Sequence, residues 1–350
     1  MTLLTIDGLR MYYDSEDGYV RAADDINLEL DRGETLGLVG ESGSGKTTIA
    51  RSIIRLLPDN AEIVDGSIDL DGVEITELSE RELRKRIRWR EASMIPQNAM
   101  NAFDPVYTVG QQIVQAIRYH EDDVSKAEAK TRARDLFDEL GIDPDRIDDY
   151  PHQFSGGMAQ RAMIALALCL SPKLILADEP TTALDVVIQD RILETITDMQ
   201  AEIDSAMILI THDISVVSET ADRIAVCYGG RIVEQGDAST IITEPRHPYT
   251  LGLRNAFPDI DDASGELISI PGTPPGLVDP GEGCRFAPRC PFAEEECWEV
   301  TPQPEEYDDG HVVECHRADE ADELRARAGR KETWIDAADG PQQLTQEGDD

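Results

Sequence analysis

Lys46 and Thr47 close the stretch Gly40-Glu41-Ser42-Gly43-Ser44-Gly45-Lys46-Thr47-Thr48, which fits G-x-x-x-x-G-K-[ST] without a mismatch. Glycines at this spacing let the backbone curl until successive N–H groups face one point. Those amides and a following helix dipole can then cradle phosphate oxygens. Lys46 is expected to reach the β- and γ-phosphates, and the Thr47 hydroxyl to ligate Mg²⁺. Acidic chemistry lies further on, in Asp178-Glu179, at the end of the apolar run Leu174-Ile175-Leu176-Ala177. Two adjacent carboxylates facing a polyphosphate are costly without a metal, which supports Mg²⁺ with Asp178 as a holder. Glu179 stands one residue on, placed to orient or deprotonate water. Gln97 ends the short apolar run Ser93-Met94-Ile95-Pro96, and His212 ends Ala206-Met207-Ile208-Leu209-Ile210-Thr211. Ser155-Gly156-Gly157 opens a helix and forms a second possible phosphate cradle.

These groups need elements to carry them. Thr35-Leu36-Gly37-Leu38-Val39 reads as a buried strand leading into the phosphate loop, and Ile49 to Leu57 as the helix leaving it. The runs ending at Asp178 and His212 read as buried parallel strands that deliver side chains to one sheet edge. Residues 3–30 alternate apolar and polar, as in Leu4-Thr5-Ile6-Asp7-Gly8-Leu9 and Ile26-Asn27-Leu28-Glu29-Leu30, which suits antiparallel strands with one wet face. Tyr12 and Tyr13 are expected to fall between those strands, where an aromatic could stack on a base. Glu80 to Arg90 reads as a charged helix. Helical patterns then dominate from about 98 to 165, with Val109 to Tyr119 and Ser125 to Leu140 the clearest. Arg223 to Gln235 reads as a hairpin turning at Gly229-Gly230. The fold class is therefore α/β: a P-loop NTPase three-layer core, an N-terminal antiparallel β subdomain, an inserted helical subdomain and a small C-terminal Cys-rich extension.

Composition narrows the function. Asp and Glu number 71 against 32 Lys and Arg, a formal charge of −39, which leaves nothing basic to neutralise a nucleic acid. The acids are spread along the chain and the lysines are few, as expected of a surface adapted to high salt, the alternative being an ordinary acidic protein. No apolar run approaches the ~20 residues needed to span a bilayer, and Met1-Thr2-Leu3-Leu4-Thr5-Ile6-Asp7 lacks the basic start of a secretion signal. An intracellular chain that meets the membrane through a partner is the expectation.

Taken in order, these motifs resemble the ATP-binding subunits of ABC transporters over residues 1–250. Gly40–Thr47 resembles Walker A, Gln97 the Q-loop residue, and Phe154-Ser155-Gly156-Gly157-Met158 the signature motif, with Phe and Met for the commonest Leu and Gln. Asp178 and Glu179 resemble Walker B with its catalytic glutamate. Ala183-Leu184-Asp185 resembles the D-loop, His212 the switch histidine, and Tyr13 the A-loop aromatic. Arg246-His247-Pro248-Tyr249-Thr250, Ile270-Pro271-Gly272-Thr273-Pro274-Pro275 and Cys284-Arg285-Phe286-Ala287-Pro288-Arg289-Cys290-Pro291 resemble the D-type subunits of the oligopeptide/dipeptide importer group.

The resemblance implies that two such subunits, identical or homologous, sandwich two ATP molecules, the phosphate loop of one facing Ser155–Gly157 of the other. It implies that Gln97 helps hold Mg²⁺ and passes closure to two transmembrane permeases, that Glu179 polarises water and that His212 contacts the γ-phosphate. An extracytoplasmic binding protein supplies the substrate, and the chain sits on the cytoplasmic face of the membrane. Importers of this type also move nickel or short sugars. Against a non-transport ABC ATPase stand the missing coiled coils, second cassette and basic surface. Against a non-hydrolysing regulator stand Glu179 and His212.

Residues 251–320 change character, crowded with Pro and Gly and holding four of the six cysteines. Cys284, Cys290, Cys297 and Cys315 are spaced C-x5-C-x6-C-x17-C, and in a reducing compartment disulfides are not expected. Four cysteines in a segment with little core of its own suggest a metal staple, against the alternative of unrelated buried thiols. Zn²⁺ is one reading, but no C-x₂₋₄-C pair exists, and wide spacing suits a [4Fe–4S] cluster better. The resemblance points the same way. A structural role is expected, because the cysteines lie far along the chain from the ATPase motifs. Residues 321–350 read as an acidic, disordered tail.

The charge generates a test. Folding and activity are expected to need molar salt, so the thermal midpoint should climb with KCl concentration; a curve already flat at low salt contradicts a salt-adapted surface.

Overall fold

The computed structural model describes residues 1–97, 99–181, 186–256, 268–307 and 310–339, and every structural statement below concerns those. Two long strands open the chain, β1 (Thr2–Ser15) and β2 (Gly18–Asp31). There follow β3 (Thr35–Val39), α1 (Lys46–Ile53), β4 (Ala61–Leu70), β5 (Val73–Glu74), α2 (Glu80–Glu82) and β6 (Ala92–Ile95). Next come α3 (Ala99–Ala102), α4 (Val109–His120), α5 (Lys126–Glu139), α6 (Gly156–Leu168), β7 (Leu174–Asp178), α7 (Val186–Glu202) and β8 (Ala206–Thr211). The chain continues through α8 (Ile214–Thr220), β9 (Arg223–Tyr228), β10 (Arg231–Asp237), α9 (Ala238–Thr243) and α10 (Pro248–Asn255). It closes with α11 (Glu295–Glu299), β11 (Glu305–Glu306), β12 (Val312–Val313), α12 (Ala321–Ala328) and α13 (Lys331–Asp339).

Two sheets result. The first is antiparallel, in the order β2-β1-β4-β5. The second is mixed, in the order β11-β12-β10-β9-β3-β8-β7-β6, parallel from β9 to β6 and antiparallel beyond. The parallel strands are predominantly apolar because both faces are covered, with polar residues such as Thr35, Asp178, Thr211 and Arg223 at their ends. Their side chains divide with period two: Leu36, Leu38, Leu174, Leu176, Ile208 and Ile210 pack towards α1 and the first sheet. Val39, Ile175, Ala177, Met207, Leu209 and Val226 pack towards α6, α7 and the C-terminal elements. No described helix is long and apolar enough to cross a membrane.

Several expectations are corrected. Tyr12 and Tyr13 lie within β1, which runs unbroken to Ser15 through register shifts that absorb its irregular pairing. The charged segment after Ser79 starts as a capped helix, Ser79 and Glu82 bonding each other's backbone, but widens into a π-helical turn over Leu83–Ile87. The C-terminal extension is not an appendage: β12 pairs with β10 and so lengthens the main sheet.

The expected disordered tail forms two helices, α12 and α13, over 321–328 and 331–339, while 340–350 lie outside the described residues. Acids outnumber bases eight to four over 321–350, but Leu324, Ala328 and Trp334 form a buried face joined to the main core. Trp334 is 2% exposed and its indole Nε1 donates to the Ala328 carbonyl at 2.8 Å. Asn255 Nδ2 donates to the same carbonyl at 2.9 Å, tying the segment to α10. Trp334→Ala is therefore expected to cost about 3–5 kcal/mol in urea unfolding, whereas an unchanged midpoint would mean that the segment is not part of the folded core.

Candidate functional site

Residues 40–45 join β3 to α1 as a loop in which Gly40 and Gly45 take conformations closed to other residues. Gly45, the N-cap of α1, has φ 104°, and a Cβ there would lie 2.1 Å from the Ala22 carbonyl oxygen. Gly40 has φ 151°, with the Cys227 carbonyl oxygen 2.1 Å from where its Cβ would be. Ser42 and Gly43 stand exposed at the crest. Lys46 lies under it, 4% exposed, and its Nζ donates to the carbonyls of Gly40 at 2.7 Å and Glu41 at 2.8 Å. Burial lowers its pKa, and the charges of Cys227, Glu179, Asp178 and Glu41 act in the opposite direction.

Strand β7 ends beside this loop. The Thr47 hydroxyl donates to Asp178 Oδ1 at 2.9 Å. Asp178 is buried, which raises its carboxyl pKa, while the Thr47 hydrogen bond and the Arg51 and Lys46 charges pull it back. Glu179 follows with φ 46°, a left-handed conformation that turns the chain sharply off the strand. Its Oε2 accepts from Gln97 Nε2 at 2.7 Å, and its Oε1 lies 3.5 Å from His212 Nδ1. Three strand ends, β6, β7 and β8, thus bring Gln97, Glu179 and His212 to one edge, with Thr47 and Asp178 alongside. Gln97 Nε2 bonds Glu179, and no hydrogen bond among the described residues joins Gln97 to Thr47 or Asp178. Among the described residues no group of three or more His, Cys, Asp and Glu side chains is arranged to hold a metal ion.

Tyr13 reaches the loop's helix, its hydroxyl 3.1 Å from Thr48 Oγ1, while the Tyr12 hydroxyl donates to Asp24 at 2.7 Å. Ser155, Gly156 and Gly157 cap α6 in a separate place. Ser155 is exposed, its side chain makes no capping bond, and no hydrogen bond among the described residues links the three to residues 40–48. Phe154 anchors this turn, buried edge-on against Phe137 and under the Arg146 guanidinium, which also donates to Met158 Sδ at 3.2 Å. Asp185 lies outside the described residues.

All four C-terminal cysteines line one pocket with His247, Phe286, Phe292 and His316. Burial pushes the Cys284 thiol up to about 11 and Cys315 to about 12, and Cys290 well above its ordinary value. The donor set suits a metal in kind and number, but the sulfurs are not placed as ligands of one. The expectation that distance along the chain separates this segment from the phosphate loop is overturned. Arg289 holds the Glu41 carboxylate through both oxygens, at 2.6 and 2.9 Å, and Tyr249 OH accepts the Glu41 N–H at 2.8 Å. Sequence reasoning missed Arg285, Arg289 and Tyr249. A signal existed: residues 285–292 carry two arginines and no acid, in a chain where acids outnumber bases two to one.

Comparison with known proteins agrees with this arrangement. The family described as "ABC transporter" matches residues 23–182, and the one described as "Oligopeptide/dipeptide transporter, C-terminal region" matches residues 233–297. The "Probable peptide ABC transporter ATP-binding protein y4tR" of Sinorhizobium fredii is 45% identical over 322 residues, 91% of this chain and 96% of that one. The "Dipeptide transport ATP-binding protein DppD" of Escherichia coli is 42% identical over 318 residues, 90% of this chain and 97% of that one. The "Oligopeptide transport ATP-binding protein AppD" of Bacillus subtilis is 42% identical over 317 residues, 90% and 96% of the two chains. Among solved structures, the dimeric post-hydrolysis state of the ATP-binding cassette MJ0796 bound to ADP and Pi superimposes with a TM-score of 0.62 at 26% identity, covering 67% of this chain and 99% of that one. The cbiO1 protein of Clostridium perfringens gives 0.59 at 26% identity, covering 72% and 95%.

Proposed function

This chain belongs to the ATP-binding subunits of ABC transporters of the oligopeptide/dipeptide importer type, and from that premise we propose that it hydrolyses ATP to drive import of di- or oligopeptides. The observation that carries the hydrolytic reading is the single edge where Lys46, Thr47, Asp178, Glu179, Gln97 and His212 meet. The curled loop and buried Lys46 suit a polyphosphate. The Thr47 hydroxyl and Asp178 carboxylate are the oxygens that would hold Mg²⁺, which would neutralise charge on the phosphates. Glu179 is the base that would take a proton from water, with Gln97 and His212 on its two oxygens to fix its direction. Tyr13 is the aromatic for the base of ATP.

Ser155–Gly157 stand apart from the chain's own loop, which supports a dimer in which each copy lends this turn to its partner; the dimeric state of MJ0796 is a precedent. Two transmembrane permeases and an extracytoplasmic binding protein complete the proposed importer, with this chain at the cytoplasmic face of the membrane. The acidic surface supports a salt-rich cytoplasm. The four-cysteine pocket is inferred to take a [4Fe–4S] cluster, with Zn²⁺ as the alternative; four thiols on one pocket support it.

Glu179→Gln is expected to bind ATP normally while turnover falls ~10²-fold or more, as loss of a general base requires. Unchanged turnover would remove Glu179 from the mechanism. Anaerobically purified protein is expected to be brown and to carry about four irons per chain, whereas a colourless preparation with about one zinc would replace the cluster by a zinc staple.

A further inference from the structure

We propose that Arg289 is a positioning residue for the phosphate loop, so that nucleotide affinity depends on the cysteine-bearing C-terminal segment through the Arg289–Glu41 pair. The inference rests on the reading of residues 40–48 as the ATP site. Glu41 is the second residue of that loop, and it is held on three sides. Its carboxylate takes both arms of the Arg289 fork, its N–H goes to the Tyr249 hydroxyl, and its carbonyl receives Lys46 Nζ. Arg289 itself has no freedom to wander. It is 5% exposed, its Nε donates to the Pro271 carbonyl at 2.8 Å, and its guanidinium lies over the Tyr228 ring, 5.7 Å from the centroid.

A second arginine of the same segment supports the far side of the loop. Arg285 pairs with Asp24 and donates to the Gly229 carbonyl. The next residue, Gly230, donates its N–H to the Ser44 carbonyl at 2.9 Å. Residues 285 and 289 therefore bear on both shoulders of the loop, one directly through Glu41 and one through the Gly229-Gly230 turn. The segment 285–292 has no acid with which these arginines could pair locally, so their counter-charges have to come from elsewhere. A bidentate, buried, charge-assisted pair fixes direction as well as distance. Without it, Glu41 keeps a half-buried carboxylate lacking its partner, and the two carbonyls that seat Lys46 lose a fixed neighbour.

An ion pair that only stabilises the fold would lower the melting temperature and leave nucleotide affinity alone. The test is titration of the full chain, in molar KCl, with a fluorescent ATP analogue, beside thermal melts and steady-state ATPase assays. Arg289→Met and Glu41→Gln are each expected to weaken nucleotide binding about ten-fold. The double variant should bind no worse than the weaker single one, because both remove the same contact. Arg289→Met should raise KM while turnover at saturating ATP stays within about two-fold, and Arg289→Lys should fall between it and wild type, keeping the charge without the fork. Unchanged affinity in both single variants, multiplicative effects in the double one, or a fall in kcat at constant KM would overturn the inference. If Arg289→Met loses its cooperative melt, the near-isosteric Glu41→Gln decides alone. A wild-type chain that binds no nucleotide would instead remove the ATP reading itself, and this inference with it.

Discussion

A lysine ammonium is enclosed under the loop with two backbone carbonyls for hydrogen-bond partners, and much of the rest follows from that. Lys46 is buried, and burial alone works against its charge. Carbonyls at 2.7 and 2.8 Å satisfy two of its three N–H groups, and the Ser44 hydroxyl, at 3.4 Å, is a weaker third partner. A cation held this way attracts an anion into the space its loop encloses. The loop can curl around it only with glycine at positions 40 and 45, where another chain segment passes within contact of the missing Cβ. The opposing charges are equally constrained. Asp178 and Glu179 reach the site because β7 ends there, with β8 alone between it and β3. This is the carboxyl edge of a parallel sheet, where ligands of such folds bind.

The C-terminal extension belongs to the same construction. It contributes β11 and β12 to the main sheet, packs Leu324, Ala328 and Trp334 into the main core, and sets Arg289 against the phosphate loop and Arg285 against the Gly229-Gly230 turn beside it. Aromatic packing holds the approach: Tyr228, Tyr249 and Phe286 meet with ring centroids 4.5, 5.1 and 5.4 Å apart. Glu234, buried on β10, accepts from the backbone N–H groups of Arg246 and His247 and pairs with His311, so the route from β10 into α10 is fixed too. Tyr249, which receives the Glu41 N–H, stands at the start of that helix.

Local patterns made part of this legible. The phosphate loop and the apolar runs of β3, β7 and β8 are all written within a few residues of where they act. Order alone put Gln97, Asp178, Glu179 and His212 on strand ends, since buried parallel strands deliver such residues to one edge. What stayed hidden depended on pairing at long range. Arg289 and Glu41 are 248 positions apart, and nothing near either names the other. The helices over 321–339 were masked by their charge: an apolar face of only a few residues suffices once another core is there to receive it. The π-helical turn after Glu82 likewise has no signature distinct from that of an ordinary charged helix.

The central claim is that residues 40–48 and their buried lysine form a nucleotide site. Calorimetric titration of Mg²⁺-ATP into the wild-type chain and into Lys46→Ala, both in molar KCl and both shown to melt cooperatively, addresses it directly. The account predicts saturable binding by the wild type and its loss in Lys46→Ala. Equal affinity in the two, or no binding by the folded wild type, would contradict it.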